Sequence, residues 1–591
     1  MPSKRPQATK SKARQILKYL KPYLALEIGI ALIMLVIVGL ALLDPLVLKI
    51  MIDHVLVDGN VSLLNILIVA LISLFLLRAV LNVFTNYLIH FVGQRILFDI
   101  RHSLFRHLER LHMGFFARTK TGEIISRVNN DVERIQSILT STFITILTDL
   151  ATLIVILILI FYLDWKLTLA ALTLFPAFFL SQFYLGKKIK FKSRQARDKS
   201  AEILSFFQES FTSIRLIQAF VKERYEAIRL LRKSRELINL RIALGVLGAL
   251  AASIAGFLSG LGPIIVLWYG GHQVIQGDLT IGGLVAFYAY VGRLFGPVFR
   301  LAQHNVSIQT ARASIDRIFE FFDVEPRIRD DVSSHPLKRI RGHIEFRDVH
   351  FAYNQEEPLL RDISFEISPG AKIAVVGRSG EGKTTIINLL CRFYDPVSGS
   401  ILLDGHDIRK IRLSSLRGHI GLVSQDTVLF NASIRDNILY GNRKASEEEL
   451  IRAARKAYIH DFVATLPDKY ETIIGDRGVR LSGGQCQRLS IARTILKDPE
   501  ILILDEAMSS LDAKSEVYIQ NALEPLLEEK TCLIVAHRLS SIVDADRIIV
   551  LHEGKIVESG THDELLDKGG IYLMLWNQMS RQGDTSRINR R

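Results

Sequence analysis

Three cysteines in 591 residues leave little room for redox or metal chemistry. Cys391, Cys486 and Cys532 form no Cys-x-x-Cys pair and no metal-ligand spacing, which excludes a disulfide framework or zinc ribbon and points to reduced, cytosolic thiols. A cleavable signal is missing as well. Lys4, Arg5, Lys10, Lys12, Arg14, Lys18 and Lys21 precede an apolar run that lacks a small-residue cleavage site and is long enough to span a membrane. The net charge is +14, yet the basic residues flank apolar stretches instead of forming a patch within a nucleic-acid motif. No nucleic-acid partner is expected.

What the chain does have is apolar length. Hydrophobic residues make up 49% and the mean hydropathy is +0.25, although 23% of the residues are charged. That combination fits a chain that is part membrane and part water-soluble, and the long apolar runs end near residue 303. A span needs about 20 apolar residues. Six candidates lie at about 24–52, 62–90, 138–163, 166–186, 243–271 and 279–303; Pro176 interrupts the fourth, and Arg293, Pro297 and Arg300 weaken the last. Ile16, Leu17 and Leu20 share a helical face before the first span, as in a short interfacial helix, with an unstructured basic tail as the alternative.

Charge orients the spans. The connection between the first two holds Asp53 and Asp58 without Lys or Arg, that between the third and fourth is the turn Asp164, Trp165, Lys166, and that between the last two again lacks Lys and Arg. The other connections, 91–137 and 187–242, are long and basic, so they and both termini are expected in the cytoplasm. Few Pro or Gly interrupt them, and helices are expected to continue through them into the cytoplasm. Interruptions near 113–120 and 211–220 suit short helices that touch a partner domain. Asp44, Arg78, Asp149 and Arg293 lie inside spans, where an unpaired charge costs roughly 2.5–3.5 kcal/mol. Pairing among them is one reading. Arg78 is the candidate for lining a substrate cavity, and Asp44, beside Pro45, suggests a break in the first span.

The rest reads as a nucleotide enzyme. Residues 377–384, Gly-Arg-Ser-Gly-Glu-Gly-Lys-Thr, match G-x-x-x-x-G-K-[ST], after an apolar strand at 372–376 and before a helical run from 385. Glycines there let backbone N–H groups converge on phosphate oxygens, and the helix start adds partial positive charge. Lys383 would neutralise phosphate charge and the Thr384 hydroxyl would ligate Mg²⁺. Residues 501–504 read as a buried strand that ends on Asp505 and Glu506. Asp505 would hold Mg²⁺ through water, and Glu506 would accept a proton from the attacking water. Between these lies Leu481, Ser482, Gly483, Gly484, Gln485, a further anion-binding pattern at a helix start.

With these three motifs in order, the chain resembles the ABC transporters, and its layout is similar to the bacterial lipid A and multidrug exporters built as half-transporters. The resemblance covers nearly the whole chain. It implies a multi-domain fold: a basic N-terminus at 1–23, an α-helical six-span transmembrane domain at 24–322, a linker at 323–341, an α/β P-loop ABC ATPase domain at 342–578 and a basic tail at 579–591. It implies that ATP is held by Gly377, Ser379, Gly380, Gly382, Lys383, Thr384 and Thr385, that Tyr353 stacks on adenine, and that Ser482, Gly483, Gly484 and Gln485 of one subunit reach the nucleotide of the other. Gln425 would touch Mg²⁺ and the attacking water, His537 the γ-phosphate, and Ser510, Leu511 and Asp512 would cross the dimer interface. Met508 stands where Thr is usual, and Asp476 where Glu is common in a segment that contacts coupling helices.

The implied activity is ATP hydrolysis that drives export by a pair of identical subunits. Because Glu506, Gln425 and His537 are all present, both sites of such a pair should hydrolyse. The implied setting is the inner membrane of a bacterium. The cargo expected is a lipid or hydrophobic amphiphile such as lipid A. Broad multidrug efflux is the alternative, and an ATP-gated channel or regulator is the alternative of another class. No room for a peptidase domain precedes residue 24, which disfavours a peptide exporter.

Overall fold

A computed structural model describes residues 12, 15–354, 357–424, 427–475, 481–505, 513–535 and 540–581. The chain divides into two units: Met1–Leu108 with Gly122–Asp323, and Glu109–Thr121 with Val324–Arg591.

Among the described residues of the first unit, six helices are long and apolar enough to cross a membrane: Gln15–Leu56, Val61–Leu108, Thr121–Leu163, Trp165–Thr212, Glu223–Gln276 and Ile281–Phe322. The shortest have 42 residues, about 63 Å at 1.5 Å per residue, twice a hydrocarbon core of about 30 Å. The spans therefore run on as charged helices, as their Lys, Arg and Glu content demands. The fourth span turns at Thr173. Pro176 supplies no N–H to the carbonyl of Leu172, so the helix cannot close there.

The expected break at Asp44 and Pro45 does not occur, because Leu24–Ile50 is one helix with Pro45 inside it. Proline strips the carbonyl four residues back of its donor. That carbonyl, Ala41 O, instead accepts from Arg293 Nη1, and the next, Leu42 O, accepts from Tyr290 Oη at 2.6 Å. The sixth span thus repairs the first.

It also takes up the intramembrane charge. Asp44 Oδ2 accepts from Arg78 Nη1 at 3.1 Å and from Arg293 Nη2 at 3.2 Å. Asp149 accepts from Arg300 Nε at 3.0 Å and Nη2 at 2.6 Å. Farther along the sixth span, Asp131 accepts from Ser314 Oγ and Arg317 Nε, both at 2.8 Å. Burial without partners would be costly for each carboxylate, so partners on other spans are required. At the other end, Asp53 accepts from Gly282 N at 2.7 Å and Thr280 Oγ1 at 2.6 Å, which fixes the start of the sixth span.

The second unit contains a four-stranded antiparallel sheet and a six-stranded mainly parallel one. The first is ordered β2 (Leu360–Ile367), β1 (Ile344–Phe351), β4 (Ser398–Leu403), β5 (His406–Asp407). The second is ordered β10 (Lys555–Gly560), β9 (Arg547–His552), β3 (Lys372–Gly377), β8 (Thr531–Val535), β7 (Ile501–Asp505), β6 (Ile420–Val423). Apart from the antiparallel edge strand β10, every pairing in it is parallel. Helices on both faces bury near-continuous Ile, Leu and Val runs, as parallel strands require. Three helices matter below: α1 (Met113–Arg118), α2 (Lys383–Leu390) and α3 (Gly483–Lys497).

One grouping differs from the sequence reading, which placed all of 24–322 in the membrane domain. The segment Glu109–Thr121, with α1, belongs to the second unit. Arg118 Nη2 donates to Asn354 Oδ1 at 3.2 Å and Tyr353 O at 3.4 Å, and Gly114 lies close against Tyr394.

Asp149→Asn should leave Arg300 without its counter-charge. A destabilisation of about 1–3 kcal/mol is expected, below the ~3–5 of a fully buried pair because half the Arg300 side chain is exposed. Thermal unfolding in lipid nanodiscs should show a drop of several degrees, absent from Asp58→Asn in the exposed turn between the first two spans.

Candidate nucleotide site

Strand β3 is buried from Ile373 to Val376 and delivers the chain to the loop before α2. Gly380 and Gly382 have φ of +88° and +100°, which only glycine adopts without strain. At Gly382 space is lacking too, since a Cβ would lie 2.5 Å from Leu360 Cδ2. Lys383 is buried, and its Nζ donates to Gly377 O at 2.6 Å and Arg378 O at 3.0 Å. The ammonium thus reaches back across the loop to two successive carbonyls at its start. Thr384 is exposed on the first turn of α2, where backbone N–H groups have no intrahelical acceptor.

Thr385, also read as a nucleotide residue, is buried, and its hydroxyl engages Tyr353 Oη at 3.2 Å. Asn388 Nδ2 donates to the same oxygen at 3.2 Å. The Tyr353 ring meets Phe351 and Tyr394 edge to face, with centroids 4.8 and 5.1 Å away, yet stays 43% exposed. It is a fixed aromatic surface beside the loop. The sequence reading missed Asn388 and Arg118; the position of Asn388 on α2 was the available signal for the first, while nothing local marked the second.

Ser482 caps α3: its Oγ accepts from Gln485 N at 3.3 Å, and its own N–H donates to Gln485 Oε1 at 2.8 Å. This reciprocal box explains Gln485 as a structural residue. Ser482 and Gly483 are exposed, while Gly484 is buried. Arg488 anchors the first turn through Gly484 O at 3.3 Å and Tyr458 O at 2.6 Å.

Asp505 ends β7 and pairs in register with Val535 of β8, while Leu504 pairs with Val423 of β6 and Val375 of β3 also pairs with Val535. The carboxyl ends of four parallel strands therefore reach one end of the sheet, with β3 running two residues further to Gly377, and the loop before α2 leaves from that end. Gln425, Glu506 and His537 follow those strands but lie outside the described residues, as do Asp476, Met508, Ser510, Leu511 and Asp512. The cysteines play no part. Burial pushes the Cys391 and Cys532 thiols up to about 12 and raises that of Cys486, so all three stay protonated and unreactive.

Residues 28–298 match the ABC transporter transmembrane region and residues 360–509 match the ABC transporter family. An ATP-dependent lipid A-core flippase of Syntrophus aciditrophicus is 40% identical over 564 residues, covering 95% of this chain and 93% of its own. This chain belongs to the ABC exporters. It is a half-transporter, with one membrane domain and one ATPase domain that couples ATP hydrolysis to transport. Another relative of the exporter, from Bacillus subtilis, is named for multidrug export as an ATP-binding/permease protein; it is 38% identical over 570 residues, with 95% and 98% covered. A bacterial Atm1-family ABC exporter solved with ATP bound superposes with a TM-score of 0.76 at 30% identity, covering 96% of this chain and 99% of that one.

Gly382→Ala combines the left-handed backbone with the clash on Leu360. ATP affinity should fall at least about tenfold, roughly 1.4 kcal/mol, by equilibrium binding of labelled ATP. Gly39→Ala, whose Cβ would meet nothing within 4 Å, should bind as the parent does.

Proposed function

We propose that two copies of this chain form an exporter of the bacterial inner membrane, with both termini in the cytoplasm, that moves an anionic lipid or lipid-like amphiphile such as lipid A. The observation that carries the cargo reading is the charge balance around Asp44. Two arginines share one carboxylate, and Arg78 Nε and Nη2 are buried without a hydrogen-bond partner among the described residues. Donors of that kind suit a phosphate or carboxylate headgroup. The flippase name of the Syntrophus relative points the same way, and the name of the Bacillus relative favours multidrug efflux.

In the ATPase reading Lys383 holds positive charge over the loop, Tyr353 offers its ring to adenine, and Ser482, Gly483 and Gly484 of the partner subunit close the site. Glu506 takes the proton of the attacking water, Gln425 orients that water, and His537 donates to the γ-phosphate. Thr384, Gln425 and, through water, Asp505 form an all-oxygen set suited to Mg²⁺, which would neutralise the phosphate charge. ATP would bind the closed pair of ATPase domains better than the open one, the differential affinity that any nucleotide-driven switch requires. The helix Ile214–Ala219 and the exposed Phe211, Phe220 and Val221 beside it offer an apolar surface for the partner subunit to cover.

The test is ATPase rate in reconstituted lipid against lipid A, phospholipids and hydrophobic cationic dyes, with Glu506→Gln as blank. Selective stimulation by an anionic lipid is expected, and Arg78→Ala should cut that stimulation about tenfold while sparing cationic dyes. Equal loss for every cargo would sink the headgroup reading. Broad stimulation by dyes would establish multidrug efflux. A rate no higher than the blank would bring the channel or regulator reading forward.

A further inference from the structure

One residue of the phosphate-binding loop carries a charge that opposes its neighbours. Glu381 is the only acidic residue in 377–384, and it stands two residues before Lys383. Such a loop gathers backbone N–H groups around an anion. A carboxylate free to turn among them would compete with phosphate and repel it.

The fold turns this carboxylate aside. Gly377 ends β3 in register with Leu551 of β9, so the next residue of β9, His552, stands beside the start of the loop. A Cβ at Gly377 would lie 2.7 Å from Leu551 O and 3.5 Å from Glu381 Cβ. The bare glycine therefore lets the loop fold down onto β9 and bring Glu381 with it. There His552 Nδ1 lies 3.3 Å from Glu381 Oε1, and the Glu381 side chain is 13% exposed. Among the described residues, no other cationic or titratable side chain comes within ion-pair distance of that carboxylate. The loop's own cations are directed elsewhere, Lys383 onto two carbonyls and Arg378 towards Met574 Sδ at 3.8 Å.

The histidine is itself placed by the sheet. It pairs with Lys555 of β10 across a turn of two residues, Glu553 and Gly554, whose φ of +49° and +73° close a tight hairpin. We propose that His552 is a positioning residue for ATP binding: it holds the Glu381 carboxylate against β9, away from the nucleotide phosphates. The inference rests on the reading of 377–384 as the phosphate site. His552 acts on the nucleotide only through Glu381, and at 3.3 Å the hold is a modest one.

The test is a double-mutant cycle on the full chain in lipid nanodiscs, read as the dissociation constant of labelled ATP with Mg²⁺. His552→Leu removes the ring nitrogens, and ATP affinity should fall about three- to fivefold. His552→Asn, whose amide nitrogen can stand where Nδ1 stands, should bind within about twofold of the parent. Glu381→Gln removes the charge and should tighten ATP binding about twofold. In that background His552→Leu should cost less than about 1.5-fold. In steady-state hydrolysis the His552→Leu loss should appear in KM, with kcat within about twofold of the parent. An equal loss in both backgrounds would overturn the proposal, since His552 would then serve the fold alone. So would weaker ATP binding in Glu381→Gln, which would make the carboxylate a ligand of the nucleotide or its metal. Lys383→Ala should bind ATP at least about tenfold more weakly. If it bound as the parent does, the phosphate-site reading would fall and this inference with it. If it lost ATP while His552→Leu did not, this inference alone would fall.

Discussion

Strands β9, β3, β8, β7 and β6 run parallel, and their common direction brings every carboxyl end to the same end of a single sheet. The chemistry of the second unit depends on that alignment. A phosphate-binding loop needs a rigid strand behind it and a helix start ahead, and β3 and α2 supply both. The carboxylate that ends β7 reaches that end because Leu504 and Asp505 stay in register with Ile534 and Val535. A one-residue slip would send Asp505 to the opposite face of the sheet. The register is protected by burial, since Ile501 to Leu504 and Cys532 to Val535 are all nearly inaccessible to solvent.

In the first unit the organising element is the sixth span. Its Arg293, Arg300 and Arg317 meet Asp44, Asp149 and Asp131 of the first and third spans. Lipid tails give helices no hydrophobic reason to associate, so side-chain packing, hydrogen bonds and ion pairs between helices carry the association. The same span, through Arg293, supplies the donor that Pro45 removes from the first. A proline and two buried carboxylates, each unfavourable alone, become compatible with the membrane through one neighbouring helix. Of these three arginines and Arg78, among the described residues, Arg78 alone keeps buried donors, Nε and Nη2, without a hydrogen-bond partner.

The legible parts of the sequence were those whose signal is local. Loop, strand and helix around Lys383 occupy adjacent residues, the cap at Ser482 is completed three residues on, and the spans announce themselves by composition. The break expected at Pro45 failed for the opposite reason. Arg293, which satisfies the freed carbonyl of Ala41, and Tyr290, which donates to the next one, are 252 and 248 residues away from their acceptors, and no window of sequence pairs them. The Asp149 partner, Arg300, is likewise 151 residues distant. Arg78 was recognisable as a costly charge, but its sharing of Asp44 with Arg293 was not. The interruption near 113–120 did mark a short helix that touches another domain; what stayed hidden was that all of Glu109–Thr121 groups with the second unit, because the partners of Arg118, Tyr353 and Asn354, lie more than 230 residues on.

That segment bears on how nucleotide occupancy could be felt beyond the site. Tyr353 is gripped at both ends: its carbonyl by Arg118, its hydroxyl by Thr385 and Asn388. A neutral hydrogen bond contributes about 0.5–1.5 kcal/mol net, and one to a charged donor about 1.5–3. The Arg118 contacts are long at 3.2 and 3.4 Å and exposed, so the lower part of that range applies. Remaking a few such bonds when the ring changes partner amounts to about 1–3 kcal/mol, the usual size of a coupling free energy between sites. A stronger grip would hold the loop in one position whatever it bound, and a weaker one would transmit nothing to α1. The modest bonds seen here are of the size that lets the position of Tyr353 bias α1 without locking it.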